Sequence, residues 1–595
     1  LLFKSFLVTL FAVFGVAAAV MSMRPEYVGT RRGHEDENYI PSKTCLNCHQ
    51  DHYNSWARTF HSRMTQDAKP ESVQGDFEKN NVFEYLGYKA RMEKRADGTF
   101  WMNLVSPDRE SKSIQIVRTV GSRRIEQYVT KEDGQYTRLP IAYDLMNKRW
   151  MSLNGSFFHR DSDNFNQHKT QWDSNCVFCH NVKAQPNMDF QKKTFKTEVA
   201  ELGIACGACH GQGAEHIKEA QSPLTRYAWH ITHGEKTNIV NPEKISSERS
   251  LMLCGHCHGQ RVPVPDARIV SIMTKGDPFN AGEDLSQYYK PVSKDTVITV
   301  RNPNTNEVER EVSFANRFWA NGSPRLTAYE YQGLLRSKCF TYGDTKNRIN
   351  CITCHSMHEG DPKGMIKAEN RTDMACLKCH QEFSAKEALT NHTKHSFDST
   401  GSRCYNCHMP RVVYGVMSIH PTHDITVPEP ELTVTKSVPN ACNQCHLDKS
   451  VNWSITESKH LWAEKYANSQ TNNDEQYNQP EGVRAMFAGD AIMRSIAVEA
   501  MGGGGPAKPG SKWASPFLLE AFNDNYPIVR YFAANGLANY FSTPAKPDYL
   551  GNINTRRQSV FQWWNLFDEA TQRHAKELAE NLRKKRIDVD IEVGE

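Results

Sequence analysis

Three patterns of apolar positions divide the chain. Residues 5–23 form an uncharged run rich in Phe, Leu, Val and Ala behind Lys4. These nineteen residues just suffice to cross a bilayer as a helix, whereas a secretory signal would be cut beside Ala17, Ala18 and Ala19. Residues 82–153 read differently. Apolar and polar positions alternate over 113–120 and 124–130, and Asp97-Gly98 and Asp133-Gly134 punctuate the pattern, which predicts an inserted antiparallel β-meander with tight hairpins. Toward the C-terminus the period becomes helical. Arg494, Ala497 and Met501 recur 36 residues later as Arg530, Ala533 and Leu537, with residues 502–510 as the loop between. That spacing predicts an α-helical, HEAT-like region over 454–595, a plain helical cap being the other reading. A charged helix over 570–585 reads as a solvated face.

Elsewhere periodicity is weak, and composition sharpens the point. At 595 residues the chain is long enough for several domains, yet 38% of it is hydrophobic and the mean hydropathy is −0.65. Something other than aliphatic side chains must fill the interior.

The cysteines say what. Sixteen of seventeen fall in eight copies of Cys-x-x-Cys-His. These are Cys45, Cys48 and His49; Cys176, Cys179 and His180; Cys206, Cys209 and His210; Cys254, Cys257 and His258; Cys351, Cys354 and His355; Cys376, Cys379 and His380; Cys404, Cys407 and His408; Cys442, Cys445 and His446. Two thiols two residues apart form thioethers to the vinyl groups of one porphyrin, and the next residue lies under its iron. A redox dithiol or a zinc ribbon has no need of histidine at the same offset every time. The expected cofactors are eight covalently bound haem c, with the cysteines as thioether anchors and the eight histidines as proximal iron ligands. Porphyrin faces then replace the missing apolar core, and removing haem should unfold these regions.

The motif starts are 131, 30, 48, 97, 25, 28 and 38 residues apart. This spacing predicts a first haem site in 41–81, the β-module in 82–153 and sites two to four in 154–270. A connecting region over 271–338 precedes sites five to eight in 339–453. The fold class expected is a multihaem cytochrome c, with a mainly α and irregular haem-packed core, the inserted β-module and the helical end. The formal charge of +4 becomes about −4 once eight ferric haems bring sixteen propionates. No Lys/Arg run argues for nucleic acid. Haem attachment takes place outside the cytoplasm, so both readings of residues 5–23 place the protein in the periplasm or on the outer membrane face, with an uncleaved anchor favoured.

Of 24 histidines, sixteen remain for the distal side, twice what bis-histidine ligation needs. The candidates are His61, His216, His358 and His423, the last in His420-Pro-Thr-His423, with one member each of His159 or His168, His230 or His233, and His392 or His395. His256, inside a motif, and the terminal His34 and His574 are not read as ligands. Met409 directly follows His408 and reads as porphyrin packing.

Several segments resemble a known family. They are 206–216, Ser337-Lys-Cys339-Phe, 351–358, Cys404-Tyr-Asn-Cys-His-Met-Pro410 and 439–449. Over residues 41–453 they are similar to exported octahaem cytochromes c that end in TPR or HEAT repeats. That family sits in the wider multihaem group of hydroxylamine oxidoreductase and octahaem tetrathionate reductase. The resemblance implies fold and cofactors more than a reaction. Reductases of the wider group often carry Cys-x-x-Cys-Lys at the catalytic haem, and this chain has none. Hydroxylamine oxidation uses a tyrosine cross-linked to haem, which 22 tyrosines leave open. Cys339 reads as a buried thiol, with sulfur chemistry as the alternative.

Electron transfer through closely packed haems is therefore the expected function, in an exported respiratory or photosynthetic system with donor and acceptor proteins as partners, and no catalytic residue is assigned. The alternatives are a periplasmic oxidoreductase acting on a small nitrogen or sulfur compound at one open haem, and a cytochrome subunit docked in a larger complex or filament, or against a second copy, through its C-terminal helices.

Overall fold

The computed structural model describes residues 38–232, 237–301, 307–326, 328–343, 348–358, 365–414, 417–506, 512–543, 546–589 and 591. The apolar stretch 5–23, His34 and His233 lie outside them. Among the described residues no helix is long and apolar enough to cross a membrane.

Each motif folds as a single helical turn, because five residues just close one i to i+4 bond. The N–H of His49 donates to the Cys45 carbonyl at 2.8 Å, and His258, His355, His380 and His446 do the same to Cys254, Cys351, Cys376 and Cys442 at 2.8–2.9 Å. At 3.6 residues per turn, both cysteines and the histidine then share one face of the turn. Short loops and helices join the turns, and little regular structure lies between them.

The alternating region forms two sheets. Strands β2 (Val82–Tyr85), β3 (Tyr88–Lys94), β4 (Phe100–Val105) and β5 (Ser111–Ile116) make a four-stranded antiparallel meander. The second sheet runs β1 (Thr65–Asp67), β6 (Arg118–Val120), β7 (Ile125–Glu132), β8 (Gln135–Asp144), β10 (Thr170–Gln171), with β9 (Arg149–Ser152) also on β8. The run 113–120, which reads as one strand, changes sheets at Val117, whose N–H donates to Val129 in the second sheet at 2.8 Å. Asp133 and Gly134 have φ of 50° and 80°, the left-handed pair of a two-residue hairpin. Between β3 and β4 only Gly98 is left-handed, φ 81°, and the loop is longer. Leu86-Gly87 makes the turn from β2 to β3 with φ of 51° and 77°. Leucine carries no turn signal, so the sequence does not mark it. Phe77, Met92, Phe100, Met102, Tyr128 and Trp150 fill the space between the sheets.

The C-terminal helices are not a separate body. Helices Glu481–Ala488, Ala491–Met501, Ser515–Ala521, Pro527–Tyr540 and Glu569–Arg583 pack on one another and share one continuous core with Ile125, Phe158, Val413 and Leu447. The two repeating arginines anchor them. Buried Arg494 binds Asp524 at 3.0 Å and Asp588 at 2.6 Å, and Arg530, 1% exposed, grips Asp161 with two bonds of 2.8 Å. Arg325 to Asp490 and Arg411 to Glu499 add further ion pairs between this region and the rest.

Candidate functional site

One cavity of about 2760 Å³ runs through the molecule, and cysteine or histidine side chains from all eight motifs line it. The motifs meet through their thiols. Cys45 and Cys206, Cys179 and Cys257, Cys254 and Cys351, and Cys376 and Cys404 lie close enough for each thiol to shift the ionisation of the other. A longer-range electrostatic influence links Cys209 with Cys254, Cys354 with Cys376 and Cys407 with Cys442. Numbered in chain order, the motifs therefore stand 1, 3, 4, 5, 6, 7, 8, with motif 2 set beside motif 4.

The histidines are paired across the cavity. Ring centroids lie 6.3 Å apart for His49 and His216, 6.1 Å for His258 and His61, and 5.9 Å for His210 and His358. The spacing is 6.3 Å for His355 and His423, 6.1 Å for His408 and His392, and 6.1 Å for His446 and His395. A first-row metal binds an imidazole nitrogen at about 2.0–2.1 Å, so an iron held by two rings in line places their centroids about 6 Å apart. The six pairs are set for that.

Two family models match at separate points of this cavity. Residues 44–90, with the first motif, match the cytochrome c554 and c-prime model, and residues 345–385, with the fifth and sixth, match the doubled CXXCH model. The protein is a multihaem c-type cytochrome. Among solved structures, the chain is similar to the outer cell wall cytochrome OcwA, at 18% identity over 84% of this chain and 99% of that one. The TM-score is 0.45, too distant a likeness to carry a statement about this cytochrome. No curated protein matches it.

Haem c fits these residues. The thiols and histidines of each motif share a face, the cavity gives room, and the second ring nitrogen is held in several pairs. The ring Nδ1 of His210 donates to the Val240 carbonyl at 2.7 Å, His408 to Thr426 at 2.8 Å, His216 to Thr237 at 2.7 Å and His395 to Thr393 at 2.6 Å. Such bonds fix the tautomer and leave Nε2 as the ligand. Burial lowers the pKa of His61 to about 3 and those of His358 and His423 to about 4, so these rings stay neutral, the form that binds iron.

His61, His216, His358 and His423 thus all face a motif histidine. From the pair His392 and His395, read as supplying one member, the structure uses both. Helix Lys386–Thr393 ends on Lys394 in the left-handed conformation, φ 57°, so the chain reverses and sends His392 to His408 and His395 to His446. His159 and His168 are brought to each other. Their rings lie 5.1 Å apart, and His168 stacks on Phe157 at 4.2 Å. His230 sits on the exposed helix Pro223–Ile231, away from the cavity. His256 turns to Asp277 at 2.7 Å, and His574 packs near Phe517 outside the cavity. Met409 lines the cavity, as does Cys339, whose thiol pKa burial raises beside Cys376 and Cys379.

The other two motif histidines are set differently. His180 lines the cavity near His61. His380 is half-exposed, with Phe383 at 6.4 Å and Glu382 at 3.4 Å, and no described histidine ring faces it at an iron-spanning distance. Three cavity residues escaped the sequence reading. His52 lies 4.4 Å from His358, and His420 and Glu330 share a contact of 3.5 Å. Glu330 also stands 3.7 Å from Nδ1 of His258. Burial alone would lower the His258 pKa, but this carboxylate together with Cys254 and Cys179 outweighs it and raises the ring to about 9. His52 follows a motif by three residues, a local signal; Glu330 has none.

Proposed function

We propose that the cytochrome carries eight haems c and works outside the cytoplasm as an electron-transfer protein. One observation supports this best: a single cavity joins all eight motifs, and six motif histidines each face a second histidine at about the spacing an iron requires. Bound haem supplies one-electron exchange between ferric and ferrous iron. The cytochrome's own residues do the rest. The motif cysteines would hold each group to the chain through thioethers, and at the six paired sites two imidazoles would hold the iron, which would favour a low-spin state of low potential. Backbone carbonyls hold the ring orientations, and the thiol contacts support the order 1, 3, 4, 5, 6, 7, 8 with 2 beside 4.

Export is supported by residues 5–23 and by where such motifs mature. Donor and acceptor proteins are the expected partners. The helical end, read as HEAT-like, offers exposed Phe561 and Leu566 for contact with a complex or a second copy. A second function attaches to His380. With no described histidine opposite it, motif 6 is a candidate open site, and an oxidoreductase acting on a small nitrogen or sulfur compound would use it.

Mass spectrometry of the denatured, matured chain should show eight attached haems, and its ferric spectrum should be dominantly low-spin. Seven or fewer would refute the octahaem reading. A large high-spin component that binds nitrite, sulfite or hydroxylamine would put the oxidoreductase first.

A further inference from the structure

The proximal histidines do not share one environment. His210 and His408 donate to neutral backbone carbonyls, at 2.7 and 2.8 Å. His258 instead looks at a carboxylate, Glu330 Oε2, 3.7 Å from its Nδ1. That is the distance of a charge contact rather than a formed hydrogen bond, and Coulomb interaction needs no more. His380 also has a carboxylate neighbour, Glu382 at 3.4 Å, but there both side chains are more than half exposed. Glu330 is 14% exposed, and the His258 ring it faces is 47% exposed. Water screens the contact at His380 more than the one at His258.

Glu330 is also held in place. It opens helix Glu330–Arg336, and the next residue, Tyr331, donates its N–H to the His258 carbonyl at 3.0 Å. The Tyr331 ring lies where a Cβ on Gly255 would stand, 2.4 Å from it, so this helix sits flush on the fourth motif. Gln332 donates to the Gln260 carbonyl at 2.6 Å. From the other side His420 approaches Glu330 Oε1 at 3.5 Å. The carboxylate is clamped between the motif histidine His258 and His420.

We propose that Glu330 is a positioning residue that sets the redox potential of the fourth haem by acting on His258, with His420 as a counterweight. The inference rests on motif 4 holding haem through His258 and His61. A carboxylate beside the distant nitrogen of an axial imidazole makes that ligand a stronger electron donor and favours the ferric over the ferrous state. The fourth haem should therefore lie lower in potential than the third and the seventh, whose His210 and His408 donate to backbone carbonyls. His420 competes for the same carboxylate and weakens the effect.

The test is a spectroscopic redox titration of the purified full-length cytochrome and three variants. Glu330→Gln removes the charge and keeps the shape, and one haem's share of the absorbance change should move to higher potential. His420→Phe should move that same share to lower potential, and Glu382→Gln should move nothing resolvable. The proposal is overturned if Glu330→Gln leaves every midpoint in place, or shifts all of them together, as a merely structural role would. If Glu330→Gln does not load haem, the His420→Phe shift decides, and no shift or an upward one refutes the idea. Haem mass and the low-spin signal of each variant report separately on the reading beneath: a wild-type chain without haem at motif 4 would sink that reading, not this inference alone.

Discussion

Gly333→Ala tests how closely the fold controls an axial ligand. Gly333 lies inside helix Glu330–Arg336, where alanine would ordinarily stabilise by about 1 kcal/mol. A Cβ there would stand 2.9 Å from the Asp424 amide nitrogen and 3.0 Å from the His423 carbonyl carbon. Both are about 0.5 Å inside ordinary contact, and both are backbone, which cannot swing aside. Overpacking of this kind costs about 1–3 kcal/mol, so the helix gain is outweighed. The displaced segment carries His423, whose ring faces His355 at 6.3 Å. Pushed away by that amount, it no longer closes the fifth iron well. Low-temperature electron paramagnetic resonance should show a new high-spin ferric signal of at most one haem, and the half-life at elevated temperature should shorten. A variant with the wild-type spectrum and a longer half-life would refute the reasoning, since it would mean that alanine only improved the helix.

His61→Ala removes the ring 6.1 Å from His258, so the haem count should stay unchanged while one iron turns high-spin and binds an added ligand such as cyanide; an unaltered spin state would mean that His61 is no ligand. Truncation after Trp453 would remove helices that carry no motif but touch the motif region. Trp462 donates its ring N–H to the His392 carbonyl at 2.8 Å, and the C-terminal helices share the central core. The truncated chain should therefore fail to accumulate as soluble, fully loaded protein, and a stable fragment with wild-type spectra would contradict the shared core.

What could be read from the chain was local. Cys-x-x-Cys-His turns and the Asp133-Gly134 hairpin depend on residues a few positions apart, where spacing dictates geometry; His61, His216, His358 and His423 each follow one motif in sequence yet face the histidine of another. His392 and His395 were seen as a pair but not as two destinations, because that depends on the left-handed turn at Lys394, a residue type with no such signature. Arg494 and Arg530 stood out as a repeat, yet Asp161, which answers Arg530, is 369 positions away. Glu330 was invisible for the same reason: its neighbours His258 and His420 lie on other segments, and one glutamate among 68 acidic residues carries no mark.

The side placement of motif 2 changes what kind of graph the motifs form. A single file of eight has two termini, and cutting any interior vertex splits it in two. By the thiol contacts, the fourth motif instead has three neighbours, through Cys209 and Cys254, Cys254 and Cys351, and Cys257 and Cys179. The graph then has three termini, at motifs 1, 2 and 8, and room for traffic to divide or merge. Motif 4 is its branch point, whose removal leaves three islands where any other interior motif leaves two, so a lesion at Cys254 or His258 should divide the molecule into more pieces than the same lesion at any other motif.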